Sequence, residues 1–152
     1  MKNLFAKVLT ASAFCLLVFG CKKNAGSGRL YLSLKSVNGK VFNNLDPVVF
    51  TFEFSHPKSE DVSDKLLVKR KFVNCTNSPT FDTINIPEFT STADVLGSLE
   101  FAFRNGDASA AANPCLETSG YKTDSLTYTF WLQDKDGNKS DSVVSPRITL
   151  KK

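Results

Sequence analysis

From Leu30 onward, apolar and polar residues alternate with the period of two that marks strands with one buried face. Leu30, Leu32 and Leu34 share one side and Tyr31, Ser33 and Lys35 the other, and Asn38 with Gly39 marks a turn. After Pro47, the residues Val48, Phe50, Phe52 and Phe54 lie opposite Val49, Thr51 and Glu53, so a strand with three phenylalanines on one face should organise the core. Leu66, Val68 and Phe72 define a third strand, with Leu67, Lys69 and Lys71 opposite. Arg70 falls on the apolar side of that strand, where an edge position, an acidic partner or a bulge would each accommodate it. Thr83 to Ile86 reads as a short strand stopped by Pro87, and Leu99, Phe101 and Phe103 supply another inward face ending at an Asn105–Gly106 turn. Two strands close the chain: Leu126, Tyr128, Phe130 and Leu132 point inward on the first, and Val144, Ile148 and Leu150 on the second. Between them the pattern places a turn at Asp134 to Asn138, and Pro146 makes the last strand an edge or a bulged one.

About seven strands separated by turn signals, with no helix beyond a single turn that Asp107 would cap through Ala112, predict an all-β chain. The expected fold is one antiparallel β-sandwich. Tyr128, Phe130, Asp134, Asp136, Gly137, Asn138 and Ser140, followed by Pro146, Ile148 and Leu150, resemble the closing hairpin of immunoglobulin-like and fibronectin type III-like domains of bacterial surface proteins. That resemblance implies an immunoglobulin-like sandwich over residues 29–152.

The N-terminal stretch is built differently. Lys2 and Lys7 precede an uncharged apolar run from Val8 to Phe19, with the small residue Gly20 after it, the layout of a secretory signal. The run is shorter than the roughly 20 apolar residues a membrane-spanning helix needs. Val18, Phe19, Gly20 and Cys21 resemble the lipobox of bacterial lipoproteins. The resemblance implies that residues 1–20 are a cleaved signal peptide, that Cys21 is lipidated and becomes the N-terminus, and that residues 21–28 form a flexible tether. An ordinary cleaved signal with an unmodified Cys21 is the alternative. The whole layout is similar to small lipoproteins of Bacteroidota, a group that implies a fold and a location rather than an activity. The loop Ser55 to Asp64 departs from the Asp and Gly repeat of many of these proteins, so a calcium role does not carry over. Lys22 supplies no Asp-type inner-membrane retention signal, so a lipid anchor in the outer membrane is expected. The tether also lacks the acidic run that resembles a surface-export signal, which favours the periplasmic face.

Removal of the leader discards Cys15 and assigns Cys21 to the lipid, leaving Cys75 and Cys115 as a pair in an oxidising compartment. A disulfide between them is the expected arrangement, with two buried thiols as the alternative. Closing that loop of about 40 residues would restrict the unfolded chain by ~4 kcal/mol. Neither cysteine lies in a CxxC, which argues against redox catalysis and zinc ligation. Basic residues number 19 against 15 acidic, and the leader takes Lys2 and Lys7 with it. So small an excess gives no case for a nucleic-acid partner.

Candidate chemistry is sparse. His56 is the one histidine, next to Pro57 in an expected loop, and the chain has no GxSxG, HExxH or phosphate-binding loop, so catalysis is not expected. In the series Asp134, Asp136 and Asn138, glycine stands at the fourth position rather than the sixth that an EF-hand requires. No metal is expected there or at Glu60, Asp61 and Asp64, and no cofactor is expected. Lys69, Arg70 and Lys71 form the densest basic run, which reads as a solvated strand face before it reads as a contact for an acidic glycan or lipid. The period places Trp131 outside the core, as a candidate contact for a sugar ring or a partner protein unless a loop covers it. Asp82, Thr83 and Ile84, Asp124, Ser125 and Leu126, and Asp141, Ser142 and Val143 each resemble the O-glycosylation sequon of Bacteroidota, making Thr83, Ser125 and Ser142 candidate acceptors. The expected function is a lipid-anchored, non-catalytic envelope module that binds a glycan or a protein. A structural accessory subunit of an outer-membrane or secretion assembly is the second reading, and a small carboxylate-dependent hydrolase the third.

Overall fold

A computed structural model describes residues 29–57, 59–62, 64–74, 80–87, 89–91, 93–106 and 122–152. The expected signal peptide, Cys21 with the expected tether, Cys75, Cys115 and the turn expected at Asp107 to Ala112 lie outside the described residues.

The described chain is an all-β sandwich. Its strands are β1 (Tyr31–Val37), β2 (Val41–Phe42), β3 (Pro47–His56), β4 (Ser59–Val62), β5 (Lys65–Phe72), β6 (Thr80–Asn85), β7 (Phe89–Ser91), β8 (Val95–Arg104), β9 (Thr123–Gln133), β10 (Val143–Val144) and β11 (Ile148–Lys151). One sheet has the order β1-β3-β8. The other runs β2-β11-β9-β5-β6, with β10 also paired to β9, and β4 and β7 form a separate ribbon. The longer strands are those the alternation predicts. Strands β2, β4 and β7 were not legible because two to four residues are too few to show a period, and the closing strand expected over Val144 to Leu150 is divided into β10 and β11. The pairing is not wholly antiparallel, since β2 joins β11 in parallel.

The two sheets meet through aromatic side chains. Phe50 and Phe52 on β3 and Tyr128 and Phe130 on β9 are fully buried. Phe50 lies 5.0 Å from Tyr128 and 5.2 Å from Phe130, and Phe52 lies 4.8 Å from Phe130, between ring centroids. Tilted and edge-to-face contacts of this kind add about 0.5–1.5 kcal/mol per pair beyond the apolar area they bury. Leu30 and Leu32, Leu66 and Val68, Leu126 and Leu132, and Ile148 and Leu150 complete the core.

Val144 does not face inward as the period suggests: it is 59% exposed, and Val143 packs on the core instead. The phase changes at Ser145, which is buried and accepts the Tyr128 N–H at 2.9 Å through Oγ. Ser140 does the same for Leu132 N–H at 3.0 Å. Beside so short a β10, serine hydroxyls thus satisfy amides of β9 that a longer strand would pair, and they displace the expected alternation. Asn105, expected only as a turn residue, is buried, and its Nδ2 faces the carbonyls of Phe42, Asn43 and Lys151 at 3.2, 2.9 and 2.7 Å. It ties β8 to the ends of β2 and β11. Gly106 beside it has φ 91°, in the region that favours glycine.

Of the three arrangements open for Arg70, the structure has the acidic partner. Arg70 points inward, 5% exposed, and its Nη2 donates to Asp82 Oδ2 on the neighbouring β6 at 2.6 Å. Burial pushes the Tyr128 phenol far above its usual range, and the Arg70 charge partly offsets that rise. A buried pair is costly to break but not to replace with matching apolar groups. Arg70→Ala should therefore destabilise the domain by about 3 kcal/mol in urea unfolding, while Arg70→Met with Asp82→Leu should return to within about 1 kcal/mol of the parent. A double variant as unstable as the single one would contradict this.

Candidate binding surface

The parity that buries Leu126, Tyr128, Phe130 and Leu132 forces Thr127, Thr129, Trp131 and Gln133 to the outer face of the larger sheet. Register then defines their neighbours. Thr83, Leu67 and Trp131 form one row across β6, β5 and β9, and Phe81, Lys69, Thr129 and Val144 the next row, which extends to β10. Asn85, Lys65 and Gln133 flank the first row, and Lys71 and Thr127 flank the second. Adjacent strands lie about 4.8 Å apart, so the β6 and β9 side chains of a row are separated by roughly 10 Å.

Trp131 and Leu67 are partly buried, Phe81 is 65% exposed and Val144 is 59% exposed. Lys69 Nζ stands 5.3 Å from the centroid of the Phe81 ring. Trp131 thus takes a position between the two expected for it, outside the core yet partly covered. Leu67 and Thr83 were not legible as its row, nor Phe81 and Lys69 as the next, because cross-strand register has no local sequence signal. The basic run also divides: Lys69 and Lys71 face outward, while Arg70 enters the core.

The three candidate glycosylation residues occupy different settings. Thr83 is exposed on β6, and Ser142 is exposed just before β10. Ser125 is partly buried within the sheet, with Oγ 3.0 Å from Thr149 Oγ1. Its preceding Asp124 is buried and accepts the amides of Ser125 at 2.7 Å and Asn74 at 3.2 Å, which gives that acid a structural task.

At the end of the sandwich, His56 lies in a strand rather than in the loop expected for it. Strand β3 continues through His56, which is buried, with Nε2 3.3 Å from Oδ1 of the buried Asp64. The side chains are 5% and 1% exposed, so the pair joins the two sheets and presents little surface to a substrate. His56 Nδ1 lies 2.5 Å from the Pro57 carbonyl and must carry a proton there, which leaves Nε2 directed at Asp64. Asp134 accepts from the amides of Asp136 and Asn138 and from Asn138 Nδ2, at 3.0, 2.8 and 2.8 Å. Its carboxylate organises the hairpin turn, where Gly137 has φ 86°. Among the described residues, no three histidine, cysteine or acidic side chains gather as a metal site would require.

Burial raises the Asp64 pKa above its ordinary value, His56 opposes the rise, and Asp134 adds to it. The folded state therefore holds this proton more tightly than the unfolded chain. Asp64's contribution is most favourable below the ordinary carboxylate pKa of about 3.9 and declines as pH rises through the higher folded value. Asp64→Asn should raise the melting temperature at pH 7, with the gain shrinking as the pH approaches 4. A variant that loses most stability at pH 7 would instead mean that the ion pair with His56 outweighs the cost of burial.

No family model matches the chain, and no curated protein matches it. Among solved structures, the crystal structure of Spo0M, a sporulation control protein from Bacillus subtilis, is similar at 12% identity over 83% of this chain, with a TM-score of 0.38. This chain spans 51% of that protein's length. A Northeast Structural Genomics Consortium target aligns at 5% identity over 85% of this chain and 88% of its own, with a TM-score of 0.26. Neither likeness assigns a function.

Proposed function

We propose that the protein is a lipid-anchored envelope lipoprotein whose sandwich is a non-catalytic binding module for a glycan or a protein partner. The lipobox-like stretch ending in Cys21 supports the anchor, and the proposed location is the outer membrane with the domain on its periplasmic face. The observation that carries the binding role is the row of Trp131, Leu67 and Thr83 beside the exposed Phe81. An aromatic surface on a rigid sheet, bordered by hydroxyl and amide side chains, suits stacking against a sugar ring or anchoring a partner.

A structural accessory subunit is the second reading. Its support is an open groove of about 750 Å³ between β1 and residues 142–146, lined by Leu32, Leu34, Ser36 and Ser142 among others. In β1-β3-β8, the described pairing leaves one side of β1 toward this groove, where a partner strand could add.

A glycan array followed by titration tests the first reading. Trp131→Ala should weaken binding by at least ~10-fold while leaving the fold intact by circular dichroism. If that variant loses only stability and keeps its affinity, the outer face is not the binding surface. For the anchor, intact mass of membrane-extracted protein should give an N-terminus at Cys21 carrying diacylglycerol. An unmodified Cys21 would remove the lipid from this account.

A further inference from the structure

We infer that the ligand of this outer face is an acidic polysaccharide, an inference that rests on reading the face as a glycan platform. Lys65, Lys69 and Lys71 all project outward from β5, on either side of Leu67 and next to the row that holds Trp131. Among the described residues, no carboxylate occupies an outward position on the strands of this sheet. Asp82 lies on the inner side against Arg70, and Asp124 is buried. None of the three lysines has an ion-pair partner among the described residues, and Lys69 stands over the Phe81 ring.

The opposite sheet is built otherwise. Its outer face sets Lys35 against Glu53 at 2.7 Å and carries Glu100 as well as Arg104 on β8. Among the described residues, three lysines without an ion-pair partner thus stand on the one sheet face that also holds the tryptophan. Their field attracts negative charge, while Trp131 and Phe81 offer apolar surface to sugar rings and Thr83, Thr127, Thr129 and Asn85 offer hydrogen bonds. The separation of β6 from β9 is comparable to the span of a disaccharide.

Other acidic partners fit less well. Protein interfaces are depleted of lysine, and here Lys65, Lys69 and Lys71 take all the outward positions of β5 except Leu67. Anionic lipid surfaces are held by clusters of roughly four to eight basic residues, more than this strand provides.

The test uses the full-length protein in detergent micelles. Trp131 is the chain's one tryptophan, so its fluorescence reports on this face directly. The probes are oligomers of polygalacturonate, neutral β-glucan oligomers, polyglutamate and vesicles containing phosphatidylglycerol. Polygalacturonate should change the emission saturably, with affinity falling as salt rises. Replacing Lys65, Lys69 and Lys71 with Gln together should weaken it at least ~10-fold, while the charge-matched set Lys35→Gln, Lys40→Gln and Arg104→Gln should change it less than ~2-fold.

Equal binding of the neutral glucan, unaffected by the β5 replacements, would overturn the acidic ligand and leave a glycan-binding face standing. Binding of polyglutamate or vesicles as tight as that of polygalacturonate would overturn polysaccharide selectivity. No response to either polysaccharide would remove both this inference and the glycan reading beneath it.

Discussion

The structure depends on the contact between Phe50 and Phe52 of β3 and Tyr128 and Phe130 of β9, across the two layers of the sandwich. Side chains on a strand alternate, so fixing these aromatics inward fixes everything next to them outward. Trp131 lies outside because Phe130 and Leu132 must lie inside. Through the β5–β9 register, the same constraint sets Leu67 beside Trp131 and Lys69 beside Thr129. A shift of one residue along β9 would exchange the core for the candidate surface. The candidate binding face is therefore the geometric complement of the core.

Polar groups close the layers where apolar packing ends. Arg70 and Asp82 form a pair under the β5–β6 edge, His56 and Asp64 join the sheets at the end of β3, and Asn105 faces three carbonyls at the end of β8. Each of these groups is costly to leave unsatisfied in a low-dielectric setting, so they specify which strand ends meet. Their polar atoms are directed inward. The lysines of β5 are directed outward with no such partners among the described residues, which sets them apart from the polar groups that serve the fold.

Much of this was legible from the residues. The long strands, the inward Phe-rich face of β3, the inward set of β9 and the outward placement of Trp131 follow from a period of two. The remainder depended on contacts between distant positions. Nothing adjacent to His56 announces Asp64 as a buried partner across the sheets, and the Pro57 that follows it suggested a loop. Arg70 was visible as an exception, but its partner Asp82 emerged only from the β5–β6 register. Val144 was misplaced because Ser145 turns its hydroxyl inward to the Tyr128 amide and changes the phase. The lysines of β5 looked like an ordinary solvated face, since what sets them apart is the lack of acids on neighbouring strands, a property of the sheet rather than of the segment.

On the proposed reading one face, and not the molecule's charge as a whole, meets the ligand. Lysine-reactive labelling read by mass spectrometry, with and without polygalacturonate oligomers, tests it most directly. Lys65, Lys69 and Lys71 should be protected, with labelling at Lys35 and Lys40 unchanged. Uniform protection of all five, or protection confined to Lys35 and Lys40, would contradict it.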